Sequence, residues 1–167
     1  GDRESATQGI TSKIESALDD VVSLDADRIL RSFAALVLAT QRTNFYLRAA
    51  NGEFVEAVAF KFDPSGVPDL PLPHPAREIW VYSTQVEGVH LRFGDVARGG
   101  VRWSDRRDDF RTEVLGLVKA QEVKNAVIVP VGAKGGFFPK LLPDPALGRD
   151  AWLDEGRAAY ASFVSSM

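Results

Sequence analysis

The apolar run Ala126–Val131 constrains the fold of this chain more than any other feature. A helix-like pattern precedes it and a cluster of glycines follows it. A short apolar run in that setting is typical of a strand buried inside a sheet. Hydrophobic residues make up 45% of the 167 residues, which is enough for a core to cover such a sheet. The run therefore predicts an α/β fold.

The remaining elements follow from hydrophobic periodicity. Apolar residues recur at helical spacing through residues 8–41, and Ser23 and Asp25 could cap a second helix there, so this section is a helical pair or one kinked helix. Further helices are expected at about 108–125 and 149–166. Strands are expected at 54–62, 77–83, 88–93 and 126–131, with Asn51-Gly52 as a hairpin turn before the first.

This order predicts a mixed β-sheet flanked by helices and preceded by an N-terminal helical segment. We divide the chain into that segment, residues 1–43, and a second region, residues 44–167. The chain ends on a helical pattern with no stop signal, so we expect it to be a fragment of a longer protein.

Composition excludes several classes of function. The formal charge of −3 gives no sign of binding to nucleic acid or to an anionic membrane, and no apolar run reaches the roughly 20 residues of a membrane span. The absence of cysteine excludes disulfides and thiolate chemistry and fits a cytoplasmic protein. His74 and His90 form no metal-ligand motif, so no metal site is expected.

Two glycine clusters are candidates for a binding site. The first is Arg98-Gly99-Gly100, where adjacent glycines allow close approach to a ligand and arginine offers forked donors for a carboxylate. Taken alone, it is more often a turn at a strand end with solvated arginines.

The second cluster, Gly132-Ala133-Lys134-Gly135-Gly136, follows the apolar run. Ligands in α/β proteins bind beyond the carboxyl ends of strands, so Lys134 could line a site there. The alternative is an ordinary solvated lysine in a surface loop. The cluster matches neither the Walker phosphate loop nor the dinucleotide motif G-x-G-x-x-G. Lys124, at the end of the preceding helix, could simply complement the helix dipole.

Taken together, these clusters resemble the substrate-binding domain of glutamate dehydrogenases. The stretch from Gly99-Gly100-Val101-Arg102-Trp103 through Lys124-Asn125 to Pro130-Val131-Gly132-Ala133-Lys134-Gly135-Gly136 is most similar to the NAD-specific, large-subunit class. The similarity is strongest from about Val86 to Phe137. It is weaker through residues 44–85, and residues 1–43 carry little of it.

The resemblance implies a role for each matching residue. Lys134 would be the catalytic lysine, which activates water and handles protons at the substrate Cα. Lys124 would bind the substrate α-carboxylate, while Gly99 and Gly100 would place backbone near the substrate side chain. Arg98 stands where the wider family has a lysine for the side-chain carboxylate, and the glycine loop is one glycine shorter than in the wider family.

The implied function is oxidative deamination of L-glutamate to 2-oxoglutarate and ammonium with NAD, by a full-length homo-oligomer. Residues 44–167 would form part of the substrate-binding domain, with NAD bound mainly by a domain outside this chain, and the isolated chain would be inactive. Two alternatives stay open: a non-catalytic ligand-binding or assembly domain with the same fold, and a related dehydrogenase of apolar amino acids. Arg98 argues against the second, because an apolar pocket has little use for a cation.

Overall fold

The computed structural model describes residues 2–124 and 131–167, and the strand expected at 126–131 lies outside these ranges except for Val131. Within them, four helices and six strands form an α/β structure preceded by a helical pair, as the sequence predicted. The helices are α1 (Arg3–Leu18), α2 (Leu24–Ala39), α3 (Phe110–Lys124) and α4 (Arg149–Ser166). The strands are β1 (Thr40–Thr43), β2 (Val58–Phe62), β3 (Arg77–Tyr82), β4 (Val86–Arg92), β5 (Val101–Trp103) and β6 (Ala133–Pro139).

The described strands form one mixed sheet in the order β1-β2-β3-β4-β6-β5. Each neighbouring pair from β1 to β6 is antiparallel, whereas β5 and β6 are parallel. Parallel neighbours need a crossover that returns the chain to the same end of the sheet, and α3 lies between them in the chain. The segment β5-α3-β6 is therefore a βαβ unit at one edge of an antiparallel sheet.

Helix α3 covers one face of this sheet. Its buried side chains Phe110, Val114 and Leu115 pack with Val89 and Leu91 of β4. The helix lies close to β6 because the strand has a glycine at position 136. An added Cβ there would overlap Cγ2 of Val114. Helix-to-sheet packing at this point therefore requires the smallest residue.

Helix α4 covers the opposite face. Its Ala159 and Phe163 are fully buried against Val81, Val86 and Phe137. Burial of a large aromatic side chain is one of the strongest stabilising contributions that a small core offers, and Phe163 and Phe137 stack with ring centroids 6.0 Å apart. Both faces of the central strands are thus removed from water.

An ion pair fixes the first turn of α3 to β3. Arg111 donates to both oxygens of Glu78, each at 2.7 Å, and Glu78 is buried. A bidentate pair in such a position holds both direction and distance. The amino-terminal end of α3 is therefore set relative to the middle of the sheet.

The N-terminal section is a helical pair rather than one kinked helix. The side chain of Ser23 accepts a hydrogen bond from the backbone of Ala26 and caps α2, while Asp25 lies in the first turn. Helix α2 runs directly into β1, an edge strand that the sequence did not predict. Several large apolar side chains of α2, including Phe33 and Val37, are exposed. No helix in the described ranges is both long enough and apolar enough to cross a membrane.

The strand predicted at 54–62 is shorter than expected, and its turn is present. Gly52 has a φ of +83°, and the backbones of Arg48 and Phe54 form an isolated antiparallel bridge around the turn. Regular pairing begins only at Val58. Before that point, the side chain of Asn44 makes hydrogen bonds to the backbone in place of a neighbouring strand. It donates to the carbonyl of Ala57 at 2.9 Å and accepts from the N–H of Ala59 at 2.7 Å.

We predict that Gly136→Ala destabilises the chain by about 1–3 kcal/mol, because the new methyl group overpacks the contact with Val114. The matched control is Gly116→Ala in α3, where an added Cβ meets nothing within 4 Å. A helix-interior glycine replaced in open space should stabilise the protein by about 0.5–1 kcal/mol. Denaturant unfolding of both variants measures the two changes, and equal effects would contradict the packing argument.

Candidate functional site

Lys134 lies within strand β6 and not in the loop that the sequence analysis expected beyond a strand end. Its segment is paired on both sides, with Leu91 of β4 opposite Lys134, and with Val101 of β5 opposite Gly135. The glycines that favoured a loop instead allow close packing, since an added Cβ at Gly135 would lie 2.9 Å from His90. The expectation of a glycine loop was therefore wrong.

The register shows which face of the sheet Lys134 occupies. Opposite residues of adjacent strands share a face, and Lys134 is opposite Leu91, whose side chain lies in the core beneath α3. Lys134 is half-buried and belongs to the α3 side. Since α3 ends at Lys124, the backbone of the second lysine lies on the same side of the sheet. The side chain of Lys124 is outside the described part of the chain.

The Arg98-Gly99-Gly100 segment runs beside the start of β6. Arg98 forms a parallel bridge with Gly132, and the N–H of Ala133 donates to the carbonyl of Arg98 at 2.9 Å. An added Cβ at Gly99 would overlap the carbonyl oxygen of Ala133, so only glycine fits there, whereas Gly100 faces open space. Arg98, Gly99 and Gly100 are all exposed. The structure thus brings the two glycine clusters together.

The last turns of α3 connect these two clusters. The amide of Gln121 donates to the carbonyl of Arg98 at 3.0 Å, and the carboxylate of Glu122 accepts from the N–H of Gly132 at 2.9 Å. Sequence reasoning missed both residues. Their position in the helical turn that leads into Lys124 is the signal that could have found them.

Glu113 makes a second connection, at the other end of α3. It forms an ion pair with Arg102 of β5 and accepts a hydrogen bond of 2.6 Å from the hydroxyl of Ser104. Ser104 is buried, and the side chain of Glu113 is only 12% exposed. Glu113 therefore joins β5 and the segment that follows it to the first turn of α3.

His90 lies on the opposite face of the sheet from Lys134. It is opposite Gly135 in the register, and its Nδ1 is buried with no hydrogen-bond partner among the described residues. Burial lowers the pKa of His90 below its ordinary value, and the positive charge of Arg92 lowers it further. The neutral imidazole is thus favoured directly behind the strand that carries Lys134.

In residues 2–124 and 131–167, no group of three or more His, Asp or Glu side chains could hold a metal ion.

The comparison with protein families gives this arrangement a context. The sequence profile described as "Bacterial NAD-glutamate dehydrogenase, catalytic domain" matches residues 13–167. The chain belongs to this family. The match begins inside α1, so the N-terminal helical segment shares more of the similarity than its sequence suggested.

Individual relatives agree with the family match. The chain is 58% identical to the NAD-specific glutamate dehydrogenase of Mycobacterium tuberculosis over 165 residues, which cover 96% of this chain and 10% of the relative. It is 57% identical to the protein of the same name from Pseudomonas aeruginosa over 168 residues, covering 99% of this chain and 10% of the relative. The NAD-specific glutamate dehydrogenase of Neurospora crassa is more distant, with 28% identity over 163 residues, 92% of this chain and 14% of the relative.

The resemblance named from the sequence is thereby confirmed. The chain spans about a tenth of the length of its bacterial relatives. The names of these relatives therefore describe proteins about ten times as long as this segment.

We predict that His90 makes the stability of the fold depend on pH. Because the folded state lowers the pKa of His90 below 6.5, neutral His90 contributes its full stability above about pH 6.5 and loses it as the pH falls toward the lowered value. His90→Gln should therefore show a smaller loss of unfolding free energy between about pH 7.5 and 5. Denaturant unfolding across this range measures the effect, and His74→Gln controls for loss of an imidazole as such. Equal slopes for wild type and His90→Gln would contradict the prediction.

Proposed function

We propose that the full-length protein oxidises L-glutamate to 2-oxoglutarate and ammonium with NAD, and that this segment binds the amino acid and supplies the catalytic lysine. The observation that carries the proposal is the assembly around β6. Lys134 lies on the α3 face, with the Arg98-Gly99-Gly100 segment bonded to the start of its strand and the end of α3 bonded to both. Two relatives that are 58% and 57% identical over nearly the whole chain bear the name NAD-specific glutamate dehydrogenase.

The substrate has two carboxylates, and the proposal gives each a cation. Arg98 is exposed beside the strand and pairs with the side-chain carboxylate, for which its planar fork is suited. Lys124, at the end of α3, binds the α-carboxylate. The exposed backbone of Gly99 and Gly100 lies along the substrate side chain. Fixing both ends of the substrate contributes to catalysis by restricting its position.

Lys134 handles the proton in this scheme. NAD, held elsewhere in the full-length protein, would supply the oxidation at the substrate Cα, and a water molecule would then replace the amino nitrogen at that carbon. Lys134 accepts a proton at its Nζ from that water and returns it to the nitrogen, which leaves as ammonium; this is the part of the chemistry that this chain supplies. Its half-buried position on the α3 face excludes part of the surrounding water.

The residues of this chain do not fit NAD itself. The sequence contains no G-x-G-x-x-G turn, and the glycines around Lys134 lie in a strand paired on both sides. We therefore place NAD in another part of the full-length protein. The division into an N-terminal helical segment and a partial substrate-binding domain, the cytoplasmic location and the homo-oligomeric state stay predictions.

We predict that Lys134→Ala in the full-length protein lowers kcat for glutamate oxidation by at least about a hundredfold, because a positioned proton-transfer group contributes on that order or more. Lys13→Ala, which removes an exposed lysine on α1, is the control and should retain activity. NADH formation measures both, with circular dichroism to check the fold. Full activity of Lys134→Ala would refute the assignment and favour a non-catalytic domain.

The isolated 167-residue chain should show no turnover, and NAD-dependent oxidation by it would refute that part of the proposal.

We predict that Arg98 distinguishes substrates by their side-chain carboxylate. A hydrogen bond to a charged group is worth about 1.5–3 kcal/mol, so Arg98→Ala should lower kcat/KM for glutamate roughly 10- to 100-fold. It should leave kcat/KM for L-norvaline, which has the same carbon chain without that carboxylate, nearly unchanged. Comparable losses for both substrates would contradict the role of Arg98. Wild-type turnover of leucine or phenylalanine above that of glutamate would instead favour an apolar amino acid as substrate.

A further inference from the structure

Glu122 joins the end of α3 to the chain just before Lys134. Its Oε1 accepts a hydrogen bond from the backbone N–H of Gly132 at 2.9 Å. Gly132 lies two residues before Lys134, and Glu122 lies two residues before Lys124. One carboxylate thus connects the two parts of the chain to which the proposed lysines belong.

The peptide groups around Gly132 are held from three directions. The carbonyl of Gly132 accepts from the N–H of Phe93 at 3.1 Å, and the N–H of Ala133 donates to the carbonyl of Arg98 at 2.9 Å. These two bonds and a third, from the N–H of Arg98 to the carbonyl of Val131 at 3.3 Å, join backbone to backbone. The bond from Gly132 to Glu122 instead uses a half-buried side chain at the end of the helix.

The neighbouring contacts leave little room for Gly132 to move in another direction. A Cβ at position 132 would lie 2.9 Å from Oε1 of Gln121 and 3.1 Å from Oε1 of Glu122. The glycine therefore allows the helix end to approach the strand, and the carboxylate then fixes the distance between them. Without the carboxylate, the N–H of Gly132 would lose its acceptor on the helix.

We propose that Glu122 is a positioning residue for Lys134, holding the start of β6 at a fixed distance from the end of α3. This inference rests on the proposed function of Lys134. A displacement of about 1 Å in a reacting group can cost on the order of a hundredfold in rate, so an acceptor two residues away can control turnover without touching the substrate.

The test compares Glu122→Ala with Glu122→Gln in the full-length protein. The glutamine keeps an oxygen acceptor in the same place, while the alanine removes it. Glu122→Ala should lower kcat by about tenfold or more with KM for NAD changed less than about twofold, and Glu122→Gln should stay within about threefold of wild type. Glu56→Ala, which removes an exposed glutamate, is the matched control. Thermal unfolding is measured for each variant, and Glu122→Met, which keeps the stem without an oxygen acceptor, replaces the alanine variant if that does not fold.

Two results would overturn the inference. Glu122→Ala with the activity of Glu56→Ala would show that the bond to Gly132 does not position Lys134. Equal losses in Glu122→Gln and Glu122→Ala would show that charge and not the acceptor matters. Lys134→Ala, measured in parallel, separates this failure from that of the proposed function: an inactive Lys134→Ala beside a fully active Glu122→Ala refutes the role of Glu122 alone.

Discussion

The close approach of α3 to β6 over Gly136 is the contact on which the rest of the structure depends. A side chain at that position would overlap Val114 and lift the helix from the sheet. Helix α3 is also the crossover between the parallel strands β5 and β6. Its position on the sheet therefore determines where both of its ends lie. Glu113 near one end then reaches β5, and Glu122 near the other reaches the start of β6.

Polar contacts make this arrangement directional. Hydrophobic burial holds α3 on the sheet but is tolerant of sliding, whereas the bidentate pair of Arg111 with Glu78 fixes the first turn of the helix. Glu113 and Glu122 add further fixed distances along the same helix. The proposed function would use this rigidity, because the cations proposed for the two carboxylates and the proposed proton-transfer lysine would have to keep one geometry during turnover.

The sequence predicted most elements and misjudged the one at the centre. Helix α4 has the predicted bounds, and α3 begins two residues later than expected and ends at Lys124. The cluster around Lys134 was expected to be a loop because glycines are common in turns. Strand pairing on both sides overrides that tendency, and periodicity cannot reveal it, since the partners lie over forty residues away for β4 and over thirty for β5. Edge strand β1 was missed for the same reason: its pairing partner is distant in sequence.

The sequence by itself determined the family and the residues worth testing. The spacing of Arg98, Lys124 and Lys134 and the motifs that contain them are specific to that family. Only the tertiary structure decided that the two glycine clusters pair side by side, that Lys134 faces α3 and that Gln121 and Glu122 join them. The physical reason is that hydrogen bonds between distant segments depend on how the helix seats against the sheet. The contact between Gly136 and Val114 sets the position of the helix on the sheet, although neither residue has a reactive side chain.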